Sequence, residues 1–164
     1  MKNILKIIVI YFDENLCHIN KFDMSIHTFI NYSSKDTIEI VSFILSDTAH
    51  IPKNVTELTS LCAIGGVTSI IDCIISYDTH QLRTKNYNGN RNCHVTSVHT
   101  YPNHRHLGYA TKLIQHIKKI CVEYSVKTIF LDDCSSNFMQ SNNLYSKNGF
   151  VYLNRGLPEM IFVF

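Results

Sequence analysis

The residues with the clearest chemical meaning form a short loop after a strand-like run, Cys93 to Thr100, and before a periodic helix. The loop reads His104-Arg105-His106-Leu107-Gly108-Tyr109-Ala110. Free N–H groups at the start of a helix, with the positive end of the helix dipole, bind a pyrophosphate well. Gly108 removes a Cβ where the backbone must approach a ligand, and Arg105 adds positive charge. The spacing therefore predicts a pyrophosphate-binding loop.

A second stretch, Asn143 to Phe150, contains the pattern Leu-Tyr-x-x-x-Gly-Phe. Together with the loop pattern Arg-x-x-Gly-x-Ala, it resembles the GCN5-related N-acetyltransferase (GNAT) superfamily, and the resemblance covers roughly Cys93 to Phe164. The resemblance implies a single domain over residues 1–164, with acetyl-CoA as acyl donor and no metal. The expected reaction is direct transfer of an acetyl group to a primary amine of a small molecule or a protein.

The resemblance also implies which residues hold the acyl donor. Backbone groups of Val98 and Thr100 would pair with the pantetheine arm as an added strand does, and Asn137 would contact CoA. The hydroxyl of Tyr145 would give a proton to the departing thiolate, although an amphipathic core tyrosine is the structural alternative. The pyrophosphate would be held by Arg105, His106, Leu107, Gly108, Tyr109 and Ala110.

The group that deprotonates the amine is less defined. An alkylammonium has a pKa of about 10, so it must lose a proton before it attacks a thioester. Where relatives often carry a strand glutamate, this chain has Thr96 and His94. His94 is the expected base because it accepts a proton near neutral pH; a water chain, Asp132 or Asp133 are the alternatives. If Asp132 and Asp133 are not bases, they and Glu159 either lie at solvated strand ends or form an acidic pocket for a cationic amine.

Two other functions remain open at this point. The missing strand glutamate fits a catalytically silent acyl-CoA sensor. A metal-binding protein is a third interpretation because His94, His99, His104 and His106 are close in sequence, but their spacing matches no established zinc pattern.

Composition limits the remaining classes. The 164 residues are 45% hydrophobic and 17% charged, which suits one folded domain. The formal charge of +2 gives no reason to expect a nucleic-acid or membrane partner. Six cysteines without a Cys-x-x-Cys pair indicate a reduced, cytoplasmic protein. Homodimers are common in the resembled family, so a homodimer is also an expectation.

The periodicity of the chain predicts an α/β fold, a mixed twisted sheet with helices on both faces. The best helix follows Gly108, with one apolar face made of Ala110, Leu113, Ile114, Ile117, Ile120, Cys121 and Tyr124. Together with the predicted strands Cys93–Thr100 and Lys127–Asp133, this helix should form a right-handed βαβ unit. Two closing strands are expected at Phe150–Leu153 and Met160–Phe164.

The first half of the chain is harder to interpret. Residues 4–12 read as a buried strand and residues 37–46 as another, while near-helical spacing favours a helix over 14–32. Gly65-Gly66 between the apolar runs 58–64 and 67–77 predicts a hairpin, followed by a loop over 78–92. A last helix is expected at 138–148, capped by Ser136 or Asn137 and ended by Gly149.

Overall fold

The computed structural model describes residues 26–34, 36–46, 49–76, 90–136, 138–140 and 142–164. The strand predicted over residues 4–12, most of the loop predicted over 78–92, and Asn137 therefore lie outside the described residues. None of the helices in the described ranges is long and apolar enough to cross a membrane.

The described chain forms one seven-stranded mixed sheet, which confirms the predicted fold class. Its strands are β1 (Ile26–Tyr32), β2 (Thr37–Leu45), β3 (Val67–Ser76), β4 (Asn92–Thr100), β5 (Thr128–Asp132), β6 (Val151–Tyr152) and β7 (Glu159–Val163). The strand order is β1-β2-β3-β4-β5-β7-β6, and only β4 and β5 pair in parallel. The connection between these two is the helix α2 (Tyr109–Glu123), so the predicted βαβ unit is present.

The sheet carries a separate apolar cluster on each face. Because side chains alternate along a strand, Ile40 and Ile44 of β2 pack toward α2, whereas Phe43 packs toward the helix α1 (Val55–Ala63). The α2 cluster is the larger and includes the fully buried Leu113 and Ile117. The predicted apolar face of α2 is therefore the face that covers the sheet, and helices lie on both faces as expected.

The helix predicted over residues 14–32 is wrong for its described part, since residues 26–32 form β1. Ile26 and Ile30 fit a helix stripe, but they also fit the two-residue alternation of a strand. Here Ile30 contacts the α2 cluster and Phe29 the α1 cluster, while the whole segment pairs with β2 from Ile26–Ile44 to Tyr32–Ile38. Long-range pairing decided what the spacing left ambiguous.

The hairpin predicted around Gly65-Gly66 is also wrong, because the preceding run belongs to α1. Asn54 caps this helix by accepting a hydrogen bond from Glu57 N–H at 2.9 Å. Gly65 has φ +75°, and Gly66 N–H returns to Leu61 C=O at 2.8 Å, as at a left-handed helix end. A glycine pair ends helices as well as turning hairpins, so the cap at Asn54 was the decisive signal.

The last predicted helix is shorter than expected. Among the described residues of the predicted range, only α3 (Leu144–Lys147) is helical, and its cap is Asn143, which accepts from Ser146 N–H at 2.7 Å. Gly149 has φ +82°, in agreement with its predicted role at the end of this helix. The closing strands differ from the prediction by one residue at each end: β6 is shorter at both ends, and β7 begins and ends one residue earlier.

Candidate active site

A cleft opens where the parallel strands β4 and β5 separate. Their pairing runs only from Asn92–Thr128 to Val95–Leu131, although β4 continues to Thr100. The register between β3 and β4 shifts just there, so that Thr96 is an extra residue between Val95 and Ser97. A bulge bends a strand and increases its twist. The bulge at Thr96 therefore accompanies the separation of β4 from β5.

The far half of β4 presents an unpaired backbone edge to this cleft. Tyr101 N–H donates to Thr68 C=O at 3.1 Å, which identifies a hydrogen-bonded pair of the β3–β4 ladder. Hydrogen-bonded and open pairs alternate along an antiparallel ladder. It follows that the backbone groups of Val98 and Thr100 point away from β3, toward the space that β5 has left. The Thr100 C=O accepts a hydrogen bond from Arg105 Nε at 3.1 Å.

The loop after β4 brings the start of α2 to the same cleft. A short 3-10 helix, Pro102–His104, turns the chain, and His106 and Gly108 then take left-handed conformations with φ 64° and 83°. The first hydrogen bond of α2 runs from Lys112 N–H to Gly108 C=O at 3.0 Å. The N–H groups of the preceding turn have no partner within the helix. Among the described residues, no side chain caps this helix start.

The cleft has a volume of about 630 Å³. Its walls include eight of the residues predicted for the site: Val98, Thr100, Arg105, His106, Gly108, Tyr109, Ala110 and Tyr145. Leu107 is exposed and does not belong to these walls. The loop pattern and the tyrosine pattern, some forty residues apart in sequence, thus meet at one site.

Several wall residues were missed by sequence reasoning. They are Thr111 in the first turn of α2, and Ser135, Asn142, Asn143 and Lys147 around α3. Thr111 could have been predicted as a wall residue, because it lies in the first turn of a helix that starts after Gly108. Asn143 was readable as an N-cap three residues before Ser146. Ser135 and Asn142 belong to an irregular segment, so no periodic pattern in the sequence predicts that they line the cleft.

Tyr145 lies on α3 with its ring packed edge-on against Phe150, at 6.3 Å between ring centroids. Burial, followed by the negative charge of Asp133 and then Cys134, raises the pKa of Tyr145 to about 12. The hydroxyl therefore stays protonated throughout the neutral range. It is a permanent hydrogen-bond donor at the wall of the cleft.

A buried polar network fixes the position of α3. Asp133 accepts from Ser135 N–H at 3.0 Å and from Asn143 Nδ2 at 2.7 Å, and the Tyr152 hydroxyl also donates to it. Asp133 and Asn143 are each only 2% exposed. Because Asn143 is also the cap of α3, this network holds the helix that carries Tyr145 against the end of β5.

Comparison with known proteins agrees with this geometry. Residues 73–150 match the model of the acetyltransferase (GNAT) family. Over these residues the chain therefore matches the GNAT family, which bears out the resemblance. The expected family and the expected enzyme class, an acyltransferase of the N-acetyltransferase type, are thereby confirmed. No curated protein sequence matches the chain significantly.

Solved structures show the same GNAT fold at low sequence identity. The NatC complex bound to Gag peptide and CoA contains a chain with 19% identity and a TM-score of 0.50, covering 76% of this chain and 70% of that one. Arabidopsis thaliana NAA60 in complex with a bisubstrate analogue has 14% identity and a TM-score of 0.50, and the match covers 80% of this chain and 77% of that one. The KacTA–DNA complex contains a chain with 10% identity and a TM-score of 0.50, and the match covers 79% of this chain and 69% of that one.

The GNAT cleft does not include the predicted base. His94 is partly buried on β4, paired with Ile74 on one side and Phe130 on the other. Its side chain therefore lies on the α1 face of the sheet, whereas Tyr145 packs against the α2 cluster. Asp133 is already held by its three donors, and Asp132 is exposed at the end of β5.

The four histidines of the metal interpretation do not assemble. Within the described ranges, no group of three or more His, Cys, Asp or Glu side chains is arranged to hold a metal ion. His99, His104 and His106 all border the cleft, where His104 packs 6.3 Å from the Tyr109 ring. His99 packs edge-on against Tyr101 at 4.8 Å.

Proposed function

We propose that this GNAT member is an acetyl-CoA-dependent N-acetyltransferase that transfers the acetyl group directly to a primary amine of a small molecule or protein. One observation supports it most strongly. The uncapped start of α2, the open edge of β4 and the Tyr145 hydroxyl all border the same cleft of about 630 Å³. These three features suit a pyrophosphate, an extended amide-containing arm and a thiolate, in that order along the ligand.

The residues fit the acyl donor at each of these points. The N–H groups from Gly108 to Thr111 would hold the pyrophosphate, and Arg105 would add its charge. The arm would pair with the backbone of Val98 and with Thr100 N–H, because the Thr100 C=O already accepts from Arg105. Leu107 would contribute only its backbone to the loop, since its side chain is exposed. Asn137 remains a predicted contact.

Tyr145 would stabilise the leaving thiolate by donating a hydrogen bond. A thiol has a pKa of about 8.5, so full proton transfer from a hydroxyl with a pKa of about 12 would be uphill by roughly 5 kcal/mol. A hydrogen bond to a charged group, by contrast, contributes about 1.5–3 kcal/mol. In the proposed reaction the amine nitrogen forms the new bond to the acyl carbon, and the C–S bond breaks with its electron pair on sulfur.

The proposal specifies the acceptor only as a primary amine of a small molecule or protein. The similar structures include a peptide complex and a DNA complex, but their identities of 10–19% reflect a shared fold alone. The cytoplasm and a homodimer also remain proposals. Five cysteines within the described residues, Cys62, Cys73, Cys93, Cys121 and Cys134, are free thiols, which supports a reducing compartment.

The test combines binding and turnover. Titration calorimetry with acetyl-CoA should show saturable binding, and a free-thiol assay should show CoA release with at least one acceptor class. The panel contains peptides with a free N-terminus, lysine peptides, polyamines, aminoglycosides and amino sugars. Binding without CoA release from any acceptor would favour the acyl-CoA sensor. No binding at all would overturn both interpretations.

A further inference from the structure

The α1 face of the sheet has an open polar area beside the bulge in β4. Thr96, Ser97 and His99 are exposed there, although β4 is the middle strand of a seven-stranded sheet. Antiparallel sheets can leave one face open to water, but elsewhere this face carries the α1 cluster. This area lies on the face of the sheet opposite the α2 cluster, beside the point where β4 and β5 stop pairing.

Asp72 lies in this area, within the apolar run Ile70-Ile71-Asp72-Cys73-Ile74 of β3. It pairs directly with Ser97, and the two side chains share a face and a hydrogen bond. Burial raises the pKa of Asp72, and the hydrogen bond from Ser97 lowers it in part. A half-buried carboxylate in an isoleucine-rich strand costs stability, so its presence calls for a functional explanation.

The bulge places Asp72 opposite Ser97, one residue before the cleft-lining residue Val98. Ser97, its partner, immediately precedes Val98, whose backbone groups face the gap. Adjacent strands are about 4.8 Å apart, so the backbone of Asp72 lies one strand away from the segment of β4 that borders the proposed thioester site. The bulge also brings His94 and Ser97, three residues apart, to the same face as Asp72. In a regular strand, two residues three positions apart would point to opposite faces.

We propose that the α1 face beside the bulge receives the cationic amine, and that Asp72, oriented by Ser97, accepts its proton. The proposal rests on the proposed acetyltransferase function. The ammonium N–H bond breaks and its proton goes to a carboxylate oxygen of Asp72. The freed nitrogen lone pair forms the C–N bond, the C–S bond breaks, and Asp72 later returns the proton to water.

Other carboxylates of the described chain suit this role less well. Asp133 accepts from three donors and anchors α3. Asp132 pairs in register with Glu159 at the sheet end. The titratable side chains that face Asp72 from its neighbouring strands are Glu39 of β2 and His94 and His99 of β4.

The first test replaces Asp72 by asparagine, with D36N as a matched control at an exposed turn. D72N should fold, because it removes a half-buried charge, and should bind acetyl-CoA with unchanged affinity. Its kcat/KM for the amine should fall about 100-fold or more at pH 7, the usual contribution of a general base. The loss should shrink toward pH 10, where the amine is already deprotonated. D36N should behave as wild type.

A second variant, S97A, gives a readout that a purely structural role would not produce. Removing the hydroxyl raises the pKa of Asp72, so the acidic limb of the kcat/KM profile should move to higher pH. An unmoved limb, or a D72N loss that is equal at pH 7 and pH 10, would overturn the inference. So would a pH-dependent loss in H94A with none in D72N. If wild type releases no CoA with any amine, the proposed function itself fails.

Discussion

Replacement of Gly108 by alanine tests the pyrophosphate loop with little disturbance elsewhere. Gly108 has φ +83°, and a Cβ built on it meets nothing within 4 Å. The substitution therefore creates no clash in the free protein. Its cost comes from the left-handed backbone, about 1–2 kcal/mol for a residue with a Cβ. Reduced freedom of the unfolded chain returns about 0.4–1 kcal/mol, so the net destabilisation should be about 1 kcal/mol.

Gly65 provides the matched control. It has φ +75°, its Cβ position is equally open, and it ends α1 away from the cleft. G65A and G108A should therefore lower Tm by a similar amount, about 2–4 °C for a chain of this size. Any difference between them in ligand binding then reports on the loop and not on stability.

Only G108A should weaken acetyl-CoA binding. A new Cβ at the helix start forces an approaching anion to withdraw and weakens at least one charge-assisted hydrogen bond, of about 1.5–3 kcal/mol. That corresponds to a Kd about 10- to 100-fold higher. Titration calorimetry measures the Kd, and a thiol assay with acetyl-pantetheine, which has no pyrophosphate, isolates the cause. G108A should use acetyl-pantetheine as well as G65A does.

The reasoning would be refuted if G108A and G65A bound acetyl-CoA equally well. The pyrophosphate would then not lie against the start of α2, and the cleft would have to hold the ligand elsewhere. A loss of activity with acetyl-pantetheine equal to the loss with acetyl-CoA would also contradict it, since the substitution would then act on the catalytic geometry.

Three further outcomes are expected. Y145F should lower kcat about 10- to 100-fold in steady-state assays, because it removes one hydrogen bond to a charged thiolate. Its Kd for acetyl-CoA, measured by calorimetry, should not change. The control Y32F removes the same hydroxyl from an exposed side chain of β1 and should leave kcat unaltered. N143A should lower the free energy of unfolding by about 3 kcal/mol in denaturant titrations, since it removes a helix cap and a donor to buried Asp133. Burial lowers the pKa of His27, so the unfolded chain binds its proton more tightly; stability should fall as pH drops below about 6.5, and less so in H27F.

Local patterns predicted the part of the fold that forms the cleft. The loop around Gly108, the helix after it and the strands on either side each combine a periodic run with a glycine or a cap nearby. These signals act over a few residues, so the sequence carries them directly. The tyrosine pattern was equally local, and the parallel pairing of β4 and β5 followed from the handedness of βαβ units.

The errors arose where one pattern fits two structures. Ile26 and Ile30 suit a helix stripe or a strand, and the choice was made by pairing with β2. Gly65-Gly66 suits a hairpin or a helix end, and the cap at Asn54 decided it. Asp72 was overlooked for a related reason. In sequence it is one polar residue in an apolar run, and only the bulge at Thr96 places Ser97 opposite it.

The hydrogen-bond donor to the thiolate and the proton acceptor from the amine lie on opposite faces of one sheet in the proposed reaction. Tyr145 lies with the α2 cluster and Asp72 on the α1 face, and the pairing of β4 with β5 ends close to both, at Val95–Leu131. A donor entering beside α2 and an amine entering from the α1 face would then meet without competing for one entrance. The amine could be deprotonated while the thioester is already bound. Both halves of the proposed chemistry therefore depend on the point where the β4–β5 pairing ends, because a sheet paired along all of β4 would leave no open edge there.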